Sequence, residues 1–98
     1  MAGKTMQKDH SNREQRISQV AQMLRSAALE RGIHVTPDGR VGEIGAAQLL
    51  ELQPASLKGL RNCDKGPSFY YRGAGNGSKI SYRIDDLAIW LEQGRVGV

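Results

Sequence analysis

Between Gly42 and Gly66 the apolar pattern breaks once, at Glu51, Leu52 and Gln53, and restarts behind a proline. Ile44, Ala47, Leu49 and Leu50 support two turns of helix before the break, and Gly45 and Ala46 are small enough to let a neighbouring element come close. Pro54 has no amide hydrogen to satisfy, which suits a first helical turn, and Leu57 and Leu60 lie one turn apart behind it. The spacing predicts a second short helix ending near Cys63 or Asp64. Two short helices across a three-residue turn are a helix-turn-helix pattern.

The flanks complete an architecture around that unit. Ser11 and Glu14 form a capping-box pattern, and Ile17, Val20, Leu24 and Ala28 recur at helical spacing up to Gly32, predicting a helix over Asn12–Arg31 behind a polar, unstructured lead. The apolar stripe of this helix packs either on its own domain or against another copy of the chain. Pro37, Asp38 and Gly39 between Ile33, Val35 and Val41 read as a short hairpin or an extended connector. After Gly66 and Pro67, three consecutive aromatics and then the alternating run Lys79–Arg83 predict two strands joined by a mobile, glycine-rich tip. One or two of Tyr70, Tyr71 and Tyr82 belong to the core, as does Trp90. Asp85 is placed to cap a last helix carrying Leu87, Trp90 and Leu91 on one face, with Gly94 at its end.

Composition excludes several function classes. Cys63 is the sole cysteine and His10 and His34 are the only histidines, so no disulfide framework and no metal-ligand spacing exist. No nucleophile stands near a base, and no enzyme, cofactor or metal site is expected. Gly73, Gly75 and Gly77 precede a strand, whereas a dinucleotide or P-loop site needs a helix there. Nothing matches a signal segment or a membrane span, so a cytoplasmic protein without membrane partners is expected. The formal net charge of +4 suits an anionic partner.

The run Glu43 to Glu92 resembles the excisionase and MerR-type winged helix-turn-helix family of DNA-binding proteins. The likeness is carried by Ala46, Ala47, Leu49 and Leu50, then Gln53, Pro54, Leu57 and Leu60, then Gly66 and Pro67, and most specifically by Tyr82, Arg83, Asp85, Asp86, Leu87, Trp90 and Leu91. The family usually has a long polar residue where this chain has Gly59 and Ser or Thr at Gln53, and its minimal module lacks the Asn12–Arg31 helix. The resemblance implies a mainly α fold with a small antiparallel β wing, preceded by an extra helix. It divides the chain into a lead (1–11), a helix with hairpin or connector (12–40), the winged domain (41–94) and a tail (95–98).

The candidate contacts follow. With Leu57 and Leu60 buried, about 100° per residue puts Ala55, Gly59 and Asn62 on the opposite face of the second helix, with Ser56, Lys58 and Cys63 on its shoulders. Ala55, Ser56, Lys58, Gly59, Arg61, Asn62 and Lys65 are the expected contacts of a recognition helix with double-stranded DNA. Arg72, Gly75, Asn76, Ser78, Lys79 and Arg83 are those of the wing. From Pro54 to Arg83 six cations stand against the single Asp64, so the charge excess falls on these elements. Gly59 either packs against a neighbour or lets the helix sink close to base edges. Because little sequence follows Trp90, the resemblance favours an excisionase-like factor that binds neighbouring repeats, self-associates on DNA and meets an integrase or recombinase. A small transcription regulator of a mobile element or phage, dimerising through the first helix, and a winged-helix adaptor of viral packaging or assembly are the alternatives.

Overall fold

The structure, a computed structural model, describes residues 2–72 and 79–96, with backbone alone for 2–11 and for Arg72. It contains α1 (Ala2–Glu30), β1 (Arg40–Gly42), α2 (Glu43–Leu50), α3 (Pro54–Asn62), β2 (Tyr70–Arg72), β3 (Lys79–Arg83) and α4 (Ile84–Gln93). The chain is mainly helical, with one three-stranded antiparallel sheet in the order β1-β3-β2.

Several boundaries differ from expectation for local reasons. α1 begins at Ala2, so the Ser11–Glu14 box lies within a helix instead of starting one, and the 2–11 lead is helical in backbone. No proline stands before Pro37, so the backbone amides upstream of Ser11, beyond the first turn, can join the helical ladder. The Pro37–Gly39 turn closes on itself, with the Gly39 amide donating to the Thr36 carbonyl at 2.9 Å. Its second arm does not pair with Val35. β1 joins β3 instead, with Val41 opposite Tyr82 and Arg40 opposite Arg83, which makes the segment a connector that supplies a third strand. Asp85 does not cap α4. Arg83 holds the cap position in extended conformation, and Asp85 and Asp86 sit in the first turn, where their charge faces the positive end of the helix dipole.

Three helices close by the same device. Gly32, Glu51 and Asp64 take left-handed conformations after α1, α2 and α3, with φ of 69°, 57° and 60°. The amides that follow then turn back to carbonyls of the last turn: Ile33 to Ala28, Leu52 to Ala47 and Lys65 to Leu60, each at 2.9 Å.

The core is built from small and aliphatic residues. The α1 stripe of Ala21, Leu24 and Ala28 is buried, and Ile17 and Val20 pack against the same core, which α4 supplies with Ile84, Leu87 and Ala88. Arg16 and Arg25 of α1 pair with Glu92 and Asp85 of α4 at 2.8 and 2.9 Å, an antiparallel register. The stripe is therefore used within the chain. Ala46, Ala47, Leu49 and Leu50 of α2 are buried, whereas Ile44, expected on the same apolar pattern, is 67% exposed. Of the tyrosines only Tyr82 is buried, and Trp90 is half-buried at the margin of the core. Leu57 is the one fully buried side chain of α3, with Leu60 half-buried. Leu57→Ala therefore removes the main apolar anchor of α3 and is expected to lower stability by about 3 kcal/mol, read from the urea midpoint at unchanged slope.

Candidate nucleic-acid interface

α3 is fixed at both ends and along one flank. Gln53 enters it in extended conformation and Pro54 occupies the first turn. At the far end the Trp90 indole N–H donates to the Lys65 carbonyl at 2.9 Å, tying the segment after α3 to α4. On the flank, Nε and Nη2 of Arg61 both donate to Oε2 of Glu43 in α2, at 3.1 and 2.7 Å. The Arg61 guanidinium also lies 5.7 Å from the Phe69 ring centroid.

Arg61 thus has a different role from the one its charge suggests. Its side chain is 14% exposed, and the Glu43 carboxylate bound to it pushes its pKa further up. The Tyr82 hydroxyl is buried beside it without a fully formed hydrogen bond, and burial raises the pKa of that phenol. The cluster Glu43, Arg61, Tyr82 and Phe69 joins α2 and α3 to the sheet, and Arg61 is a strut of the fold.

The opposite side of α3 is open. Ala55, Ser56, Lys58, Gly59 and Asn62 are exposed, as is Lys65 beyond the helix. A Cβ added at Gly59 would meet nothing within 4 Å, so packing does not require this glycine. Gly45 contrasts with it, since a Cβ there would stand 2.7 Å from Cγ2 of Ile33. At Gly59 the helix accepts a poor helix former and leaves its outer surface without a side chain there.

The cations divide into two groups. Arg16, Arg25, Arg31, Arg40 and Arg61 are paired with Glu92, Asp85, Glu51, Asp38 and Glu43. Lys58 and Lys65 on or just beyond α3, Lys79 and Arg83 on β3, and Arg13 and Arg95 make no ion pair among the described residues. Lys79 opens β3 opposite Arg72, whose backbone alone is described, and Gly75, Asn76 and Ser78 of the expected wing lie outside the described residues. Arg83 is exposed at the other end of β3, next to the Tyr70 hydroxyl. Sequence reasoning missed Arg40, which the β1–β3 register places beside Arg83. The polar–apolar–polar run Arg40, Val41, Gly42 was the available signal, but it does not name the distant partner strand.

Among the described residues no group of three or more His, Cys, Asp and Glu is placed to hold a metal ion, and no helix is long and apolar enough to cross a membrane. What the open face of α3 offers is a small-residue surface with unpaired ammonium groups at its edges. That chemistry suits a grooved polyanion.

Three expected outcomes follow from this geometry. Gly59→Ala raises stability by about 1 kcal/mol, a Tm gain of about 4–8 °C, because the new methyl group meets open solvent and improves helix propensity. Gly45→Ala loses about 1 kcal/mol, because crowding against Ile33 outweighs the same gain. Glu43→Ala is expected to cost about 2 kcal/mol by leaving a largely buried guanidinium without its carboxylate, and Glu43→Ala with Arg61→Met recovers part of that loss. Thermal and urea melts of the set check all of these.

No family model, curated protein or solved structure matches this chain.

Proposed function

We propose that this chain is a small double-stranded DNA-binding protein. In this reading α2, α3 and the β2–β3 pair act as a winged helix-turn-helix whose recognition helix is α3. The observation that carries it is the coincidence of an outward, uncrowded Gly59 with lysines that make no ion pair among the described residues. A glycine that packing does not need is explained by something that comes close from outside, and unpaired lysines are explained by an external anion.

In this reading α3 lies in the major groove. Asn62 contacts a base edge, with an adenine as the best bidentate partner, and Ser56 and Lys58 reach a base or phosphate. Lys65 and Lys79 contact the backbone on either side. Arg61 is left out of the contact set because Glu43 and Phe69 hold it.

Within this class the excisionase-like role is favoured: several copies occupy neighbouring repeats, shape the DNA and redirect a recombinase. The buried α1 stripe supports it, since a regulator dimerising through α1 needs that stripe free. Footprinting of an attachment site and its flanks tests the role, and protection of one isolated palindrome would count for a repressor instead.

The contacts are tested by salt-dependent binding to specific and random duplexes. Asn62→Ala is expected to relax preference at one or two base pairs at a cost of about 1–3 kcal/mol. Lys79→Ala is expected to weaken all duplexes alike and to reduce the salt slope by about one. Equal losses on both kinds of DNA for both variants would show that α3 is not the reading element. Binding that does not respond to salt would favour a protein adaptor.

A further inference from the structure

The sheet has two faces of opposite character. Val41 and Tyr82, paired across β1 and β3, are buried toward the helices, and Phe69 packs with Tyr82 on that side. Strand alternation sends Arg40, Tyr70, Ser81, Arg83 and Lys79 to the other face. The contacts on that face agree with the register. Arg40 Nη1 donates to the Ser81 hydroxyl at 3.3 Å, and its guanidinium lies 5.9 Å from the Tyr70 ring centroid. The Arg83 guanidinium lies near the Tyr70 hydroxyl, which pushes the Arg83 pKa further up. Ser81 is 1% exposed beneath this layer, so the side chains above it form an ordered, close-fitting surface. α1 packs on α4 and α2, and Tyr70, Lys79 and Arg83 of this face are exposed.

We propose that this outer sheet face is a second duplex-binding surface, on which Arg40, Arg83 and Lys79 hold the phosphate backbone of a DNA segment other than the one at α3. The proposal rests on the DNA-binding reading for its choice of ligand. It goes beyond that reading in giving one chain two DNA faces, and it moves Arg83 from the first to the second.

Charge and spacing argue for a phosphate backbone. Among the described residues Asp38 pairs with Arg40 at 2.9 Å and is itself exposed, and Asp85 and Asp86 lie near Arg83 without forming an ion pair with it, so the guanidinium of Arg83 and the ammonium of Lys79 are left without a bound carboxylate. Lys79 and Arg83 are four residues apart on an extended strand, about 13 Å, a distance that matches about two phosphate-to-phosphate steps along one DNA strand. Guanidinium groups pre-set by a ring and a hydroxyl engage phosphate oxygens with little loss of rotamer freedom. A protein partner needs a desolvated apolar anchor, and the only large apolar side chain on this face, Tyr70, is 42% exposed and partly roofed by Arg40. Its position away from the helices lets it meet a second segment while α3 is occupied. One chain would thereby tie two stretches of duplex together.

Stoichiometry decides the matter. A short fluorescent duplex, too small for two chains, is titrated into the full-length protein and the complex is sized by analytical ultracentrifugation. The wild type is expected to take two duplexes per chain. Arg40→Gln with Arg83→Gln is expected to weaken the second duplex about tenfold and lower its salt slope by about two, leaving the first unchanged. Lys58→Ala with Asn62→Ala is expected to weaken the first and spare the second. Arg83→Gln alone, which leaves the Arg40 contacts in place, gives the same direction if the double variant fails to fold.

One duplex per chain, lost with the α3 variants and untouched by the sheet variants, overturns this proposal and leaves the α3 reading standing. One duplex, lost only with the sheet variants, overturns the α3 reading and the two-face arrangement together. Displacement of the second duplex by polyglutamate at equal charge concentration would show that the face takes an acidic polypeptide, and would also overturn it.

Discussion

The contact between Arg61 and Glu43 sets how α3 stands against the rest of the molecule. A largely buried ion pair adds little net stability, since desolvating both charges offsets most of their attraction. What it supplies is geometry. One carboxylate oxygen receives two guanidinium nitrogens, the same guanidinium lies over Phe69, and the Tyr82 hydroxyl lies buried beside it. α2, α3, β3 and the residue that leads into β2 therefore meet at one polar point. With orientation set there, α3 needs little more than Leu57 to hold it down. Its outer surface is then free of long side chains, and a glycine can stand in mid-helix.

The choice of cation at each place has a physical basis. A planar guanidinium loses little freedom when it engages a carboxylate, and in this chain arginines bridge α1 to α4, α1 to α2 and α2 to α3. An ammonium is strongly hydrated and costs little when left exposed, and lysines occupy the edges of the open face. A net charge of +4 mixes the two populations. Among the described residues the unpaired part resides in Lys58, Lys65, Lys79, Arg13, Arg83 and Arg95.

This division explains what could be read beforehand. The break at Glu51–Gln53, the proline start of α3 and the alternation in β3 are local signals, and the structure follows them. β1 was not legible, because its pairing with β3 depends on residues far along the chain. Arg61 was counted as an outward cation because its charge was read together with the other cations of α3, although its place one turn after Leu57 sets it near the buried side, and the position of Glu43 shows which way it turns. Gly45 and Gly59 are equivalent as letters. Space separates them: Ile33 fills it at one and solvent at the other. The Ser11–Glu14 box failed for the reverse reason, a local signal overridden by helix that continues through it.

α1 has no place in a minimal helix-turn-helix, and the composition explains why this chain needs it. Aromatics make up only 5% of the sequence, so few side chains can fill a wide gap between layers. Ala21, Ala28, Ala46, Ala47 and Ala88 are instead buried where helices come close, a core built by near approach of backbones. Such a core must be closed by another helix. Exposed pairs such as Arg25–Asp85 add at most about 1 kcal/mol, so the alanine packing holds α1 in place while the pairs select its register. Because α1 closes the core from the α4 side, nothing has to cover the far side of the sheet, and the aliphatic stem of Arg40 and the ring of Tyr70 suffice to bury Ser81 there. The helix that looked like an addition is thus the reason a chain this small can leave two surfaces, α3 and the outer sheet, facing away from its core.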